Sequence, residues 1–292
     1  MKTPRFTLRS FYLLVAFLVS SALAGELRVG TGVVSITPPH AIPMAGYYAT
    51  RLAEGTHDDL NAKAIIFAQD GARAALVAVD LVSLSRSTVE EARRRIALIT
   101  GVPAEAVMIS ATHSHTGPLL TDASSRNAAY GGDSDLARSY TAALPAKIAE
   151  AVRLAELALV PARLSTAVGH EPSLPFNRRF VMKDGSVGWN AGKLNPNIVR
   201  PAGPTDPAVP VVYAESPTGE PLATYVNFAM HLDTVGGLRF SSDYAFSLAE
   251  TLGRVKSGKM LTLFWPAVCK RPAPASMAVS NFNYWRSQET RL

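Results

Sequence analysis

The chain has 292 residues, 48% hydrophobic and 18% charged, with a formal net charge of +6 at pH 7, which is ample apolar material for one large domain or two small ones. Three of the positive charges are Lys2, Arg5 and Arg9, and the other net three come from Lys270, Arg271, Arg286 and Arg291 against Glu289, so residues 25–264 are formally neutral. A nucleic-acid surface needs clustered Lys and Arg on the folded part and is excluded; the single cysteine, Cys269, excludes an internal disulfide and a cysteine-rich metal site.

The first predicted element is a leader. Lys2, Arg5 and Arg9 precede an apolar run over 11–19 and then Ala22-Leu23-Ala24, the pattern of a secretory signal peptide cleaved after Ala24. The run is too short for an ordinary transmembrane helix, the other reading being an uncleaved anchor. With no second such run, the mature chain is expected to be periplasmic or secreted.

Strands are predicted over 27–36, 62–69 and 74–82, the last two joined as a hairpin by the turn Asp70-Gly71. Ser87 with Glu90 reads as a capping box for a helix with apolar positions Val89, Ala92, Ile96 and Ile99, ending before Gly101 and Pro103. A short strand follows over 107–111. The next helix, over about 135–159, carries Leu136, Tyr140, Ile148 and Val152 on one face and is expected to bend at Pro145. Further strands fit 162–168, 209–215 and 222–228, then a helix over 244–255 and a strand over 260–264. Pro-rich stretches at 196–210 and 266–274 interrupt the pattern, and there is no internal repeat. Strands that come in adjacent groups as well as singly favour an α/β fold of layered mixed β-sheets with covering helices over an alternating barrel.

Two of the six histidines, His113 and His115, stand one residue apart in "ISATHSHTGP" at the exit of the strand over 107–111. Side chains at i and i+2 of an extended segment point to the same side, so the two imidazoles can converge. Such a pair suits a metal, or one ligand and one acid/base group; an exposed surface pair is the plainer reading. The small polar flanks Thr112, Ser114, Thr116 and Gly117 are expected to leave room for substrate or water. In "TYVNFAMHLDT" a second strand ends at His231, the natural third imidazole if it is not a satisfied core residue. Zinc is the default ion for such ligands, with iron, copper and nickel also suited to imidazole.

Competing patterns fit less well. A metallo-β-lactamase-like site wants an acid two positions after the second histidine, where Gly117 stands, and hairpin-like pairs fit poorly with the strand-helix repeats of a TIM-barrel amidohydrolase. Gly30-Thr31-Gly32 lacks the third glycine of a dinucleotide fingerprint and reads as a strand in close backbone contact. Neither Ser110 nor Ser114 sits in a nucleophile elbow. Asp58 after His57, and Asp243 in "SSDYAF", are polar candidates that also fit as a turn residue and a helix cap, and Gly46-Tyr47 either lines a site mouth or is a packed loop.

"VGTGVVSITPP", Met44-Ala45-Gly46-Tyr47, "THDDLNAKAIIF", "ISATHSHTGP", "FNRRF" and "NFAMH" follow one another as the corresponding segments do in neutral (non-lysosomal) ceramidases and their bacterial relatives, which the chain resembles from about residue 27 to 263. The resemblance implies a zinc-dependent amidase that splits N-acylsphingosine into sphingosine and fatty acid. It implies His113 and His231 as zinc ligands, His115 as an active-site histidine near bound water and substrate, and Arg178 as a group stabilising substrate or transition state. On the residues alone, Arg178 beside Arg179 reads as an exposed, salt-bridging arginine.

The chain also departs from that family, in which two further zinc ligands, a glutamate and a tyrosine, come from sequence beyond the last residue here, as does a small C-terminal domain. After "MLTLF" the family pattern has a Gly- and Cys-rich loop leading to an Asn, where this chain reads "WPAVCKRPAPASMAVSNFNYWRSQETRL". The expected organisation is a signal peptide at 1–24, the N-terminal portion of a ceramidase-like catalytic domain at 25–264, incomplete at its C-terminus with exposed sheet edges, and a divergent basic tail at 265–292. A frameshift or premature stop near codon 264 is the expected cause, tested by reading the other frames of the coding DNA. Beside the zinc amidase stand two other functions: an inactive secreted fragment or weak metal binder, and a hydrolase of another amide or ester. The expected partner is a ceramide-like lipid met in transient membrane contact, with no nucleic acid and no protein partner.

Overall fold

The computed structural model describes residues 25–39, 41–192, 194–256 and 260–266. The predicted signal peptide at 1–24, and the predicted tail from residue 267 on, lie outside the described residues.

The first sheet grows from the N-terminus. Strand β1 (Arg28–Ser35) lies between strands that arrive later, β2 (Gly55–Thr56) is a short piece in the loop that follows it, and β3 (Asn61–Gln69) pairs antiparallel with β1 from Ser35↔Asn61 to Arg28↔Ala68. The hairpin to β4 (Ala72–Val79) forms as predicted, its turn made by Asp70 and Gly71 at φ 51° and 80°, the left-handed pair that matches strand twist. Helix α1 (Arg86–Thr100) then crosses over to β5 (Val107–Ala111), parallel to β4.

The cap of α1 corrects the sequence reading. Ser85, not Ser87, is the N-cap, its Oγ accepting from the Thr88 amide at 3.1 Å, and Gly101 in the left-handed region closes the helix as expected. The buried stripe is Thr88, Ala92, Ile96 and Thr100, while Ile99 is exposed. Ala92 and Ile96 lie in the stripe as expected, but Thr88 and Thr100 stand at its ends in place of Val89 and Ile99, and Thr100 is accommodated because its hydroxyl donates to the Ile96 carbonyl.

After the short α2 (Ser125–Ala129), helix α3 (Asp135–Leu157) runs through Pro145 and lies along β1. Gly30 and Gly32 make this possible: a Cβ on either would stand 1.9 and 2.1 Å from the Ala155 and Ala151 carbonyl oxygens. The close-contact reading of that Gly-x-Gly therefore holds. Leu136, placed on the apolar face by the sequence, is exposed, and Ala137, Tyr140, Leu144, Ile148 and Val152 form the buried face.

Strand β6 (Val160–Pro161) completes a first sheet of order β5-β4-β3-β1-β6, and the chain passes directly into β7 (Arg163–His170), the exposed edge of a second sheet. Between them and the rest of that sheet comes a three-stranded unit of β8 (Arg179–Met182), β9 (Val187–Trp189) and β10 (Ile198–Pro201). Strands β11 (Ala208–Glu215) and β12 (Pro221–Phe228) form a hairpin, β13 (Arg239–Phe240) pairs with β2, and helix α4 (Tyr244–Val255) crosses over to β14 (Leu261–Pro266), parallel to β12. The second sheet has the order β14-β12-β11-β7, and its last strand continues two residues past the predicted end at 264.

Apolar burial stacks these elements in four layers. Ala92 and Ile96 of α1 with Leu144, Ile148 and Val152 of α3 pack on Ala64, Ile66, Val77 and Val79 of the first sheet. Val29, Ile65 and Ala78 on its other face meet Ala214, Ala223 and Leu263 of the second sheet, and α4 covers Phe228 and Phe264 beyond it. The mixed, layered α/β architecture is as expected and is not a barrel. No described helix is long and apolar enough to cross a membrane.

Candidate metal centre

The first and second sheets each contain one parallel pair joined through a helix, β4 with β5 and β12 with β14, and the loops leaving β5 and β12 carry the three histidines. In open sheets of this kind ligand sites form beyond the carboxyl ends of such strands. The atoms that His113, His115 and His231 could offer a metal all lie within 4.8 Å of one another. Ring centroids are 4.9 Å apart for His113 with His115, 4.9 Å for His113 with His231 and 4.5 Å for His115 with His231.

The route to convergence differs from the alternation expected of a strand. β5 ends at Ala111, and His113 sits in the left-handed region at φ 69°, a conformation that costs a non-glycine residue of order 1 kcal/mol or more. The surrounding bonds hold it there: the His113 amide donates to the Leu81 carbonyl at 2.9 Å, and Nδ1 lies 2.7 Å from the Val82 carbonyl. The small flanks do not open space for substrate. Ser114 and Thr116 are fully buried and both donate to the Ser241 carbonyl, at 2.7 and 2.9 Å, so they tie the histidine loop to the start of α4.

Because a carbonyl only accepts, Nδ1 of His113 carries a proton, and in the neutral ring Nε2 is then the nitrogen that presents a lone pair to the cluster. Nε2 of His115 stands 3.3 Å from it. That leaves a proton or a cation between the two nitrogens. Two imidazole nitrogens on one tetrahedral zinc, each bonded at about 2.0–2.1 Å, stand roughly 3.3 Å apart, so the donor set fits a metal ion of that kind. The electrostatics agree. Burial pushes the His231 imidazole down to about 4, helped by the positive charge of Arg178 and by the other two histidines and opposed by Asp233. Burial also lowers His115, with His113 and Arg178 acting in the same direction and Asp233 and the Gly46 backbone against. Neutral imidazoles are the form that binds metal.

Arg178, half-buried just ahead of β8, is near enough for its charge to reach both of these histidines, and its guanidinium lies 5.6 Å from the Trp189 ring centroid. All four residues singled out from the sequence are thus in one neighbourhood. Gly46 and Tyr47 also line it: Tyr47 meets His115 edge-on at 5.9 Å between centroids, and its hydroxyl donates to Asp233 Oδ1 at 2.6 Å. Gly46, at φ 98°, leaves no room for a side chain, because a Cβ would stand 2.7 Å from the His115 ring.

The other polar candidates are structural. Asp243 is the N-cap of α4 and also accepts from the Thr234 and Val235 amides at 3.0 and 2.8 Å, holding the loop that carries His231. Asp58, buried, accepts from the Ser242 amide at 2.7 Å and from the hydroxyls of Ser241 and Ser242. Sequence reasoning missed Arg51, Asp233 and Trp189. Only Asp233 had a local signal, two positions after His231.

No protein-family model matches the chain, and no curated protein matches it. Solved structures do. The crystal structure of neutral ceramidase from Pseudomonas aeruginosa matches with a TM-score of 0.63 at 19% identity over 91% of this chain and 43% of that one. A ceramidase complexed with C2 matches with a TM-score of 0.69 at 21% identity, over 91% of this chain and 42% of that one. The chain therefore has a neutral ceramidase-like fold and spans less than half the length of those two chains.

Proposed function

We infer that the chain belongs to the neutral ceramidase family and is a zinc-dependent amidohydrolase acting on N-acylsphingosine. The observation that carries this reading is the three-imidazole cluster at the carboxyl ends of β5 and β12, with Arg178 beside it, in a ceramidase-like fold. His113 and His231 would hold the ion, one by its free Nε2 and the other as a ring kept neutral by burial. A zinc ion bound there would supply Lewis acidity toward the amide carbonyl and toward water.

The chain's own groups account for the remaining chemistry. His115, kept unprotonated by burial, accepts a proton from the attacking water and returns it to the leaving nitrogen. The Arg178 guanidinium offers paired donors to the oxygen that gains negative charge. Tyr47 beside His115 and Trp189 beside Arg178 give partly exposed aromatic surface for the apolar parts of a lipid. A signal peptide cleaved after Ala24 would export the chain to the periplasm or medium, where it meets such lipids in transient membrane contact. The 3.3 Å separation of the two Nε2 atoms favours a second reading of one residue, with His115 as a third ligand.

Metal content of the purified chain, beside His113→Ala, His231→Ala and His115→Ala, tests the centre. Near-stoichiometric zinc that is lost in the first two variants supports it, and folded wild-type protein without zinc overturns it. Retention of zinc in His115→Ala assigns that residue to proton transfer, and its loss makes it a ligand. Release of sphingosine from a short-chain ceramide, abolished by a chelator and restored by zinc, tests the reaction; zinc-loaded protein that leaves the amide intact rules out the ceramide substrate.

A further inference from the structure

Three chain segments around the histidine cluster meet at one side chain. Nη2 of Arg51 donates to the Ala45 carbonyl at 2.5 Å and to the His115 carbonyl at 2.8 Å, and Nη1 donates to the Gly237 carbonyl at 3.2 Å. Ala45 lies in the loop after β1, His115 in the loop after β5, and Gly237 in the loop that His231 opens. The guanidinium also lies 4.0 Å from the centroid of the Tyr47 ring, whose hydroxyl reaches Asp233 two residues beyond His231. Arg51 therefore grips the His115 segment at the histidine's own carbonyl. It grips the His231 segment twice, directly through Gly237 and through Tyr47 and Asp233.

We propose that Arg51 is a positioning residue that sets the separation of His115 from His231, a role that rests on the metal-centre reading above. The direct backbone link between the two histidine loops at this point, from the His115 amide to the Leu232 carbonyl, is long at 3.3 Å. A planar fork with donors on both terminal nitrogens can span three carbonyls in different directions; a lysine ammonium on a flexible stem can satisfy them only in part. Arg51 touches none of the ring nitrogens. It acts through the backbone that carries them.

The test uses the full chain with Arg51→Met and Arg51→Lys, cobalt(II) as the probe ion and ring-proton NMR of the histidines in metal-free protein. Arg51→Met is expected to weaken cobalt binding about ten- to hundredfold, the usual loss when a group supporting metal ligands is removed, and to change the visible ligand-field bands. In the metal-free state it should move the ring signals of His115 and His231 while those of His170, on β7, stay in place. Arg51→Lys should recover part of both effects. Unchanged affinity with unmoved ring signals in Arg51→Met overturns the proposal and leaves Arg51 as loop packing. If Arg51→Met does not fold, Arg51→Lys decides on the same readouts, and wild-type behaviour there overturns the proposal. Wild-type protein that binds no cobalt refutes the metal reading instead, and the ring signals still decide the role of Arg51.

Discussion

His231 is an imidazole whose proton affinity is set by where the fold puts it. Its folded value of about 4 lies below the ordinary 6.5, so between those limits the unfolded chain binds a proton that the folded chain does not. Linkage then fixes the sign: its contribution to stability is complete above about pH 6.5, falls as the solution is acidified and is gone below about pH 4. His115 is displaced in the same direction and acts alongside it. In metal-free protein the urea midpoint should fall from pH 7 to pH 4.5, and His231→Gln should flatten that dependence; an equal slope in wild type and variant would contradict the assignment. Gly46 supplies a steric counterpart. Gly46→Ala places a Cβ 2.7 Å from His115 at a φ of 98°, and such overpacking costs about 1–3 kcal/mol. Urea unfolding should register that loss, and zinc titration should show weaker binding as the ring is displaced.

At the scale of elements, the disagreement over the cap of α1 can be decided by a pair of substitutions. Removing the Ser85 hydroxyl, which accepts from the Thr88 amide, should cost about 1 kcal/mol, whereas Ser87→Ala, at an exposed position of the first turn, should change stability by less than about 0.5 kcal/mol. Chemical denaturation of both variants settles it, and the reverse order would restore the capping-box reading. The long elements were legible because their patterns have room to develop. Apolar runs on either side of the Asp70-Gly71 turn located β3 and β4, whose strands are buried on both faces, and helical spacing with Gly101 located the end of α1. Strands β8 to β10 were not legible: they have three or four residues each, and the sequence around β10 is rich in proline, so no period has room to develop. The histidines could be chosen from their motifs, since His-x-His is a local pattern. Arg51 could not, because its importance lies in three carbonyls of other segments, and backbone acceptors carry no residue identity.

The whole molecule matters to the site because its three histidines come from different sheets. His113 and His115 leave the first sheet at β5, His231 leaves the second at β12, and the separation of the sheets depends on the layer between them, where Leu263 of β14 meets Val29, Ile65 and Ala78. Leu263 is fully buried, so Leu263→Ala should cost about 2–5 kcal/mol. Ile148, also fully buried, lies on α3 at the opposite face of the first sheet, and Ile148→Ala should cost a similar amount by the same mechanism. The two cavities differ in what they loosen. One lies between the sheets that carry the three histidines, and the other lies under a helix that carries none of them. Measured where both variants remain folded, zinc affinity should fall in Leu263→Ala and stay near the wild-type value in Ile148→Ala. Equal losses would mean that the site responds to global stability alone, and an unchanged Leu263→Ala would mean that the loop bonds at Ser241 and Arg51 hold the histidines without help from the intersheet core.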